Sequence, residues 1–248
     1  MERIDDQVVN NRLLLALPRE ALERLRPALR GVALLQGQTI DRVDAPIAFL
    51  YFVNRGFISM VKTMRDGRAV EIGGIGVEGV TAPNSLFGID EAVFDSLVQV
   101  AGSAFRIRRD VLKAEARPGT ALHELMGNYA RFVLGQVGQT AACNRLHSVE
   151  ERCCRWLLVA ADNARSDRFA LTHEYLAMML GAQRSGVSIA MRALKRAGLV
   201  DYARGVVTIL DREGLEEAAC ECHRAAKDAI DAVFGSRGGA AGMAVASV

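Results

Sequence analysis

Cysteine, proline and tryptophan are all scarce in this chain of 248 residues, which has five, five and one of them. No cysteine precedes Cys143. An odd number of cysteines, with Cys153 and Cys154 adjacent, makes no disulfide framework, so a reducing cytoplasm is the expected setting. No run of about 18 apolar residues is free of charge, and neither a membrane span nor a membrane partner is expected. The opening Met1-Glu-Arg-Ile-Asp-Asp lacks a basic stretch leading into an apolar core, which argues against a secretory signal. There is no Walker-type loop, nucleophilic triad or paired-carboxylate arrangement. Gly73-Gly74-Ile75-Gly76 follows a strand but opens no dinucleotide-binding unit, and it reads as a turn. Enzyme activity is therefore not expected. The chain does have a globular composition, half hydrophobic and about a quarter charged, enough for one large or two medium domains.

Residues 171–200 are the most informative stretch. Leu171, Tyr175, Leu176 and Leu180 recur at helical intervals, with Thr172 as a capping residue and Gly181 suited to a left-handed stop. A second helix comes next, with Val187, Ala190, Met191 and Leu194 as its buried stripe. Gln183, Arg184, Ser185, Ser188, Ile189 and Arg192 fall on a face that no core needs. Pattern alone also fits an ordinary helical hairpin. The residues beyond the second helix decide between the two: Gly198-Leu199-Val200, then Ala203-Arg204-Gly205, then Val206 to Leu210 form a short hairpin. Helix, turn, helix and hairpin make a winged helix, with Arg204 at the wing tip. Residues 165–208 hold seven Arg or Lys against three acids, whereas 209–234 hold three against seven. The net charge of +2 hides this split. A locally basic winged helix implies double-stranded DNA as partner.

Elsewhere the chain changes period. Residues 10–30 suggest two short helices, the second with Pro18 in its first turn. From 31 to about 109, β-rich runs (32–35, 47–53, 57–62, 69–75 and 97–107) alternate with glycine turns, and Asp66-Gly67 is a hairpin signal. From about 110 the pattern is helical. Leu122, Leu125, Met126, Tyr129, Phe132, Val133 and Val137 give a helix of about 25 residues ending near Cys143. Gly127, Gly135 and Gly138 lie within it, each costing about 1 kcal/mol against alanine. A subunit-joining helix explains both its length and its glycines, and a long buried helix is the alternative. Ser148 and Glu151 predict a capping box. A single amphipathic helix is expected over 213–234, and a disordered Gly/Ala-rich tail over 235–248.

In this order, the elements resemble the Crp/Fnr superfamily of bacterial transcription regulators over roughly residues 12–222. Gly56, Asp66-Gly67, Glu71, Ile75-Gly76 and Glu78-Gly79 are similar to its β-roll pattern. Leu171-Thr172, Leu176-Ala177, Leu180-Gly181, Arg184, Val187 and Gly198-Leu199 are similar to its DNA-binding pattern. The resemblance implies an α+β chain: a cyclic-nucleotide-binding-like β-roll with N-terminal helices (1–119), a dimerisation helix and hinge (120–147), and a winged helix-turn-helix with a C-terminal helix (148–234). It also implies a homodimer on palindromic sites, RNA polymerase as partner, and no resident cofactor or metal. Effector and target genes stay open. Two departures matter. Asp95 and Ser96 stand where cyclic-nucleotide members place Arg-Ser or Arg-Thr, so a carboxylate would face the phosphate and cyclic AMP binding is not expected. In the recognition helix Arg184 remains, but Ser185 and Ile189 replace the familiar Glu and second Arg. Ile189 then either packs on a thymine methyl or turns into the core.

Cys220, Cys222 and His223 put soft ligands within four residues, and a metal- or redox-gated regulator is one alternative. A helix, however, would place Cys220 and Cys222 about 200° apart. No matching second pair is visible, and Cys222 falls on the apolar face as a small hydrophobe. A β-roll ligand-sensing module without DNA binding is the other alternative. His123, His147 and His173 are scattered and read as surface or capping residues.

Overall fold

The computed structural model describes residues 8–234. Two short helices, α1 (Arg12–Ala16) and α2 (Arg19–Leu25), lead in. Pro18 caps α2 rather than entering its first turn. Fully buried Asn11 fixes this entry. Its Oδ1 accepts from Leu14 N at 3.1 Å, while Nδ2 donates to the carbonyls of Val53 at 2.9 Å and Gly79 at 2.8 Å.

An antiparallel sheet comes next, of β1 (Arg30–Leu34), β2 (Thr39–Asp41), β3 (Phe49–Thr63), β4 (Ala69–Ile75) and β5 (Asp95–Arg108). Its order is β1-β5-β3-β4, with β2 also on β5. The two runs expected on either side of Gly56 are one long strand. The register against β5 slips between Val53 and Ile58, and Gly56 takes φ +93°. A Cβ there would stand 2.5 Å from the Val100 carbonyl, so the strand bends at a bulge instead of ending. Gly73-Gly74 is likewise strand rather than turn. Gly74 leaves room for the Phe57 ring and donates its N–H to Gln136 Oε1 at 2.9 Å. Gly67 carries the expected hairpin turn at φ +84°.

Beyond α3 (Arg109–Glu115), Thr120 caps the 26-residue helix α4 (Ala121–Leu146). Its sequence pattern assigns the apolar stripe to a subunit seam, and the fold corrects this. Leu122, Met126, Tyr129, Phe132 and Val133 are buried in the β-roll core, and Leu125 and Val137 pack against it half-buried. A five-strand roll exposes an apolar face that one neighbouring helix must cover, and α4 spends its stripe on that. The opposite face carries Leu134, 73% exposed, with open space at Gly135 and Gly138.

Helix α5 (Val149–Ala164) starts at the expected capping box, Ser148 with Glu151. Then come β6 (Arg168–Ala170), α6 (His173–Leu180), α7 (Arg184–Arg196), β7 (Val200–Ala203), β8 (Val206–Ile209), α8 (Arg212–Ala218) and α9 (Cys222–Phe234). The wing has three strands in the order β6-β8-β7, one more than the hairpin expected. Trp156, Leu176, Val187, Met191, Leu194 and Val207 form its core, which Val61 of β3 joins from the β-roll. The single helix expected over 213–234 is broken, with Ala219 in extended backbone. Cys220 and Cys222 are both buried, together with Cys143. Two residues 200° apart on one helix could not both reach that place, so the break corrects their reading as a split pair. The expected tail, 235–248, lies outside the described residues.

Candidate nucleic-acid interface

The reading head is built from its caps outward. Thr172 accepts from Tyr175 N at 3.1 Å and starts α6; Gly181, at φ +57°, ends it. Gln183 opens α7 without a side-chain capping bond, leaving its amide free at a helix N-terminus, the end whose dipole favours an anion. Val187, Ala190, Met191 and Leu194 turn inward. Gln183, Arg184, Ser185, Ile189 and Arg192 are exposed. Ile189 is 58% exposed, so its place is on the outward face and not in the core. Arg204 and Gly205 both have positive φ, +51° and +75°, as a two-residue hairpin turn requires, and Arg204 stands exposed at the wing tip.

Not every basic or polar residue here is free. Lys195 Nζ lies 2.6 Å from Asp201 Oδ1 and so braces α7 against the wing. Ser188 is half-buried, with its hydroxyl 3.1 Å from His173 Nδ1. This qualifies its assignment to the reading face, because that hydroxyl already has a partner. Among the described residues Arg184, Arg192 and Arg204 enter no ion pair. His173, expected to be a surface or capping residue, is the missed positioning residue. It stacks on Tyr202 of β7 at 4.3 Å between ring centroids while touching Ser188 of α7. Burial, then the charges of Arg184 and Arg192, hold its pKa below the ordinary value, so the neutral ring is favoured there. Its place as the first helical residue after a Thr cap was the only sequence signal.

The head is docked on the β-roll. Trp156 Nε1 donates to buried Glu71 at 3.3 Å and Gln99 Nε2 meets Met179 Sδ at 2.6 Å, while within the head Arg152 of α5 donates to the Leu180 carbonyl of α6. Burial drives the Glu71 carboxyl above its ordinary value despite Ser59, Arg155 and Trp156.

Around Ser96, where the resemblance to the family puts a cyclic phosphate, the β-roll is nearly closed. About 20 Å³ remains between Asp41, Ser85, Phe94 and Ser96, against roughly 300–1,000 Å³ for ligand pockets. Asp95 does not line it. Its carboxylate accepts from Val43 N at 3.0 Å and Thr63 Oγ1 at 3.1 Å, tying loop and strand. The acids that do face this space are Asp41 and Glu91, and Asp41 is pushed up to about 6 by burial, eased by a hydrogen bond with Ser96.

Residues 151–218 match the Crp-like helix-turn-helix domain family. The chain is 27% identical over 184 residues to the transcriptional regulator LdrP of Thermus thermophilus, across 68% of this chain and 87% of that protein. Its fold is similar to that of FixK2 from Bradyrhizobium japonicum (TM-score 0.64, 17% identity, 77% of this chain and 98% of that one). It is also similar to a Crp/Fnr-family transcriptional regulator from Thermus thermophilus (TM-score 0.63, 18% identity, 77% and 98%).

Proposed function

We propose that this chain, a DNA-binding transcription regulator of the Crp/Fnr type, acts as a cytoplasmic homodimer on palindromic DNA sites, in partnership with RNA polymerase and by binding rather than catalysis. The outward face of α7 carries the proposal: Arg184, Ser185, Ile189 and Arg192 are exposed on a helix held rigidly by its inner stripe. Arg184, beside the helix start, is suited to donate two hydrogen bonds to a guanine, and Ile189 to pack on a thymine methyl. Arg192 and Arg204 are suited to phosphates, which add affinity to every sequence alike. No helix of the described residues is long and apolar enough to cross a membrane.

For the dimer, the outward face of α4 replaces the inward stripe. Gly127, Arg131, Leu134, Gly138, Ala141, Ala142 and Arg145 follow steps of three and four along it, and all but half-buried Gly127 are exposed. Small residues at such spacing allow two helices to approach closely, and half-sites about 10 base pairs apart then face the two reading heads. The narrow β-roll cavity argues against a cyclic nucleotide as effector. Titrating the full chain into labelled random duplex at several salt concentrations tests the reading. A complex whose affinity falls linearly with log salt supports it. No complex at low salt would favour a β-roll module that works through protein contacts alone.

A further inference from the structure

We propose that Cys143, His147, Cys220 and Cys222 form a mononuclear tetrahedral Zn²⁺ site tying the junction of α4 and α5 to the chain between α8 and α9. The four ligand atoms lie within 4.8 Å of one another. The Cys143 and Cys220 sulfurs are 3.7 Å apart, and Cys222 Sγ is 3.6 Å from His147 Nδ1. With Zn–S near 2.3 Å and Zn–N near 2.0–2.1 Å, a tetrahedron has S···S edges of about 3.8 Å and S···N edges of about 3.6 Å. Both of these separations match the edges of such a tetrahedron, and the remaining ones stay within 4.8 Å. Four protein ligands fill the coordination, as in structural zinc sites.

The sequence places these ligands in two pairs. Cys143 lies in the last turn of α4 and His147 caps that helix, its N–H donating to the Cys143 carbonyl four residues back, which brings the two together. Cys220 lies in the break before α9 and Cys222 opens that helix, and extended Ala219 lets both reach the buried cluster. His223 does not join them: its Nε2 lies 3.8 Å from Asp162 Oδ2.

Ordinary packing of small apolar side chains accounts poorly for this cluster, and the chain holds its own comparison. Cys153 and Cys154 are embedded in the aliphatic core of the winged helix, whereas Cys143, Cys220 and Cys222 form a separate buried group of sulfurs. The surroundings also suit a metal thiolate. Gln139 Nε2 donates to Cys222 Sγ at 3.0 Å, an outer-sphere hydrogen bond of the sort that orients a ligand. Three thiolates around Zn²⁺ leave one negative charge, and the neighbouring Arg155 supplies the opposite one; its Nε is buried without an acceptor. Cys143 and Cys222 line the wall of a cavity of about 550 Å³ between β4, α4 and α9, a route for the ion. Since His147 caps α4 and Ser148 caps α5, an ion here fixes the joint that carries the reading head.

Full-length chain, purified under reductant after expression with zinc and then dialysed, is expected to retain about one Zn²⁺ per chain by elemental analysis. Replacement by Co²⁺ is expected to give the visible bands of a tetrahedral thiolate site. Cys143→Ser and Cys222→Ser should each lower Zn²⁺ affinity more than about tenfold, and Cys153→Ser should not. Gln139→Leu changes no ligand and spares the fold, yet should still weaken binding by about tenfold or more. Intact chain that retains no zinc and gives no tetrahedral Co²⁺ spectrum overturns the site. So does zinc retained undiminished in Cys143→Ser and Cys222→Ser, or a Cys143–Cys220 disulfide formed in air by chain that never binds metal.

Discussion

Gly181 ends α6 and turns the chain into α7, and it does so against the β-roll. Its φ of +57° costs an L-residue about 1–2 kcal/mol. A Cβ there would also stand 2.8 Å from Val70 Cγ2 and 3.3 Å from Val70 Cβ, tighter than ordinary contact. Displacing a half-buried valine costs about 1–3 kcal/mol more, so Gly181→Ala should lose about 2–5 kcal/mol in all. Only the second part depends on Val70. In a Val70→Ala background the 2.8 Å clash is gone and only the milder approach to Cβ remains, so the same change should cost close to the backbone share of about 1–2 kcal/mol. Urea unfolding read through Trp156 fluorescence measures both, because the chain has a single tryptophan and it sits in the winged-helix core. An equal penalty in the two backgrounds would refute the docking of this turn on β4, and with it the β-roll as the support of the reading head.

Three further outcomes rest on the same geometry. Ile189→Ala should abolish any preference for thymine at one position per half-site while leaving thermal stability nearly unchanged, since the side chain is exposed; a large fall in melting temperature with unchanged preference would contradict this. Leu134→Glu puts like charges across the proposed subunit seam and should give folded monomers by light scattering, whereas an unaltered dimer would place the seam elsewhere. The raised Glu71 pKa has a definite sign: burial makes the carboxyl hold its proton to higher pH in the folded chain than in the unfolded one, which ionises from about pH 4.3. Its stabilising share is therefore complete below that pH and is lost as pH rises through the folded value. Glu71→Gln should lose less stability than the parent chain between pH 4 and neutrality; Glu78 and Asp41 share the sign, so the variant still loses some stability over that range. Identical slopes would remove Glu71 as a source.

Local chemistry was legible in the sequence where one residue decides one conformation. Thr172, Gly181, Ser148 with Glu151, and Asp66-Gly67 all act through neighbouring backbone, and each stands where its side chain or its freedom of φ requires. Periodicity finds the inner stripe of α7 for the same reason. Periodicity also finds the apolar face of α4, but it does not say which surface covers that face. The β-roll, made by residues far away in the chain, takes it. The break at Ala219 and the gathering of Cys143, His147, Cys220 and Cys222 are of the same long-range kind, since the two pairs lie more than 70 residues apart. Likeness to a motif puts Asp95 in the pocket, but its carboxylate binds Val43 and Thr63 instead. Of the acids that do line it, Asp41 comes from a three-residue strand too short for any period to reveal.

The most direct test of α7 as the reading element is selection of bound sequences from random duplex DNA by the parent chain and by Arg184→Ala. The parent should enrich a palindrome with half-sites about 10 base pairs apart, centre to centre. Arg184→Ala should lose about 1–3 kcal/mol on that site and relax the preference at one base pair in each half, leaving the other positions intact. A parent that enriches no motif, or a variant that enriches the same motif with the same affinity, would contradict α7 as the element that reads DNA.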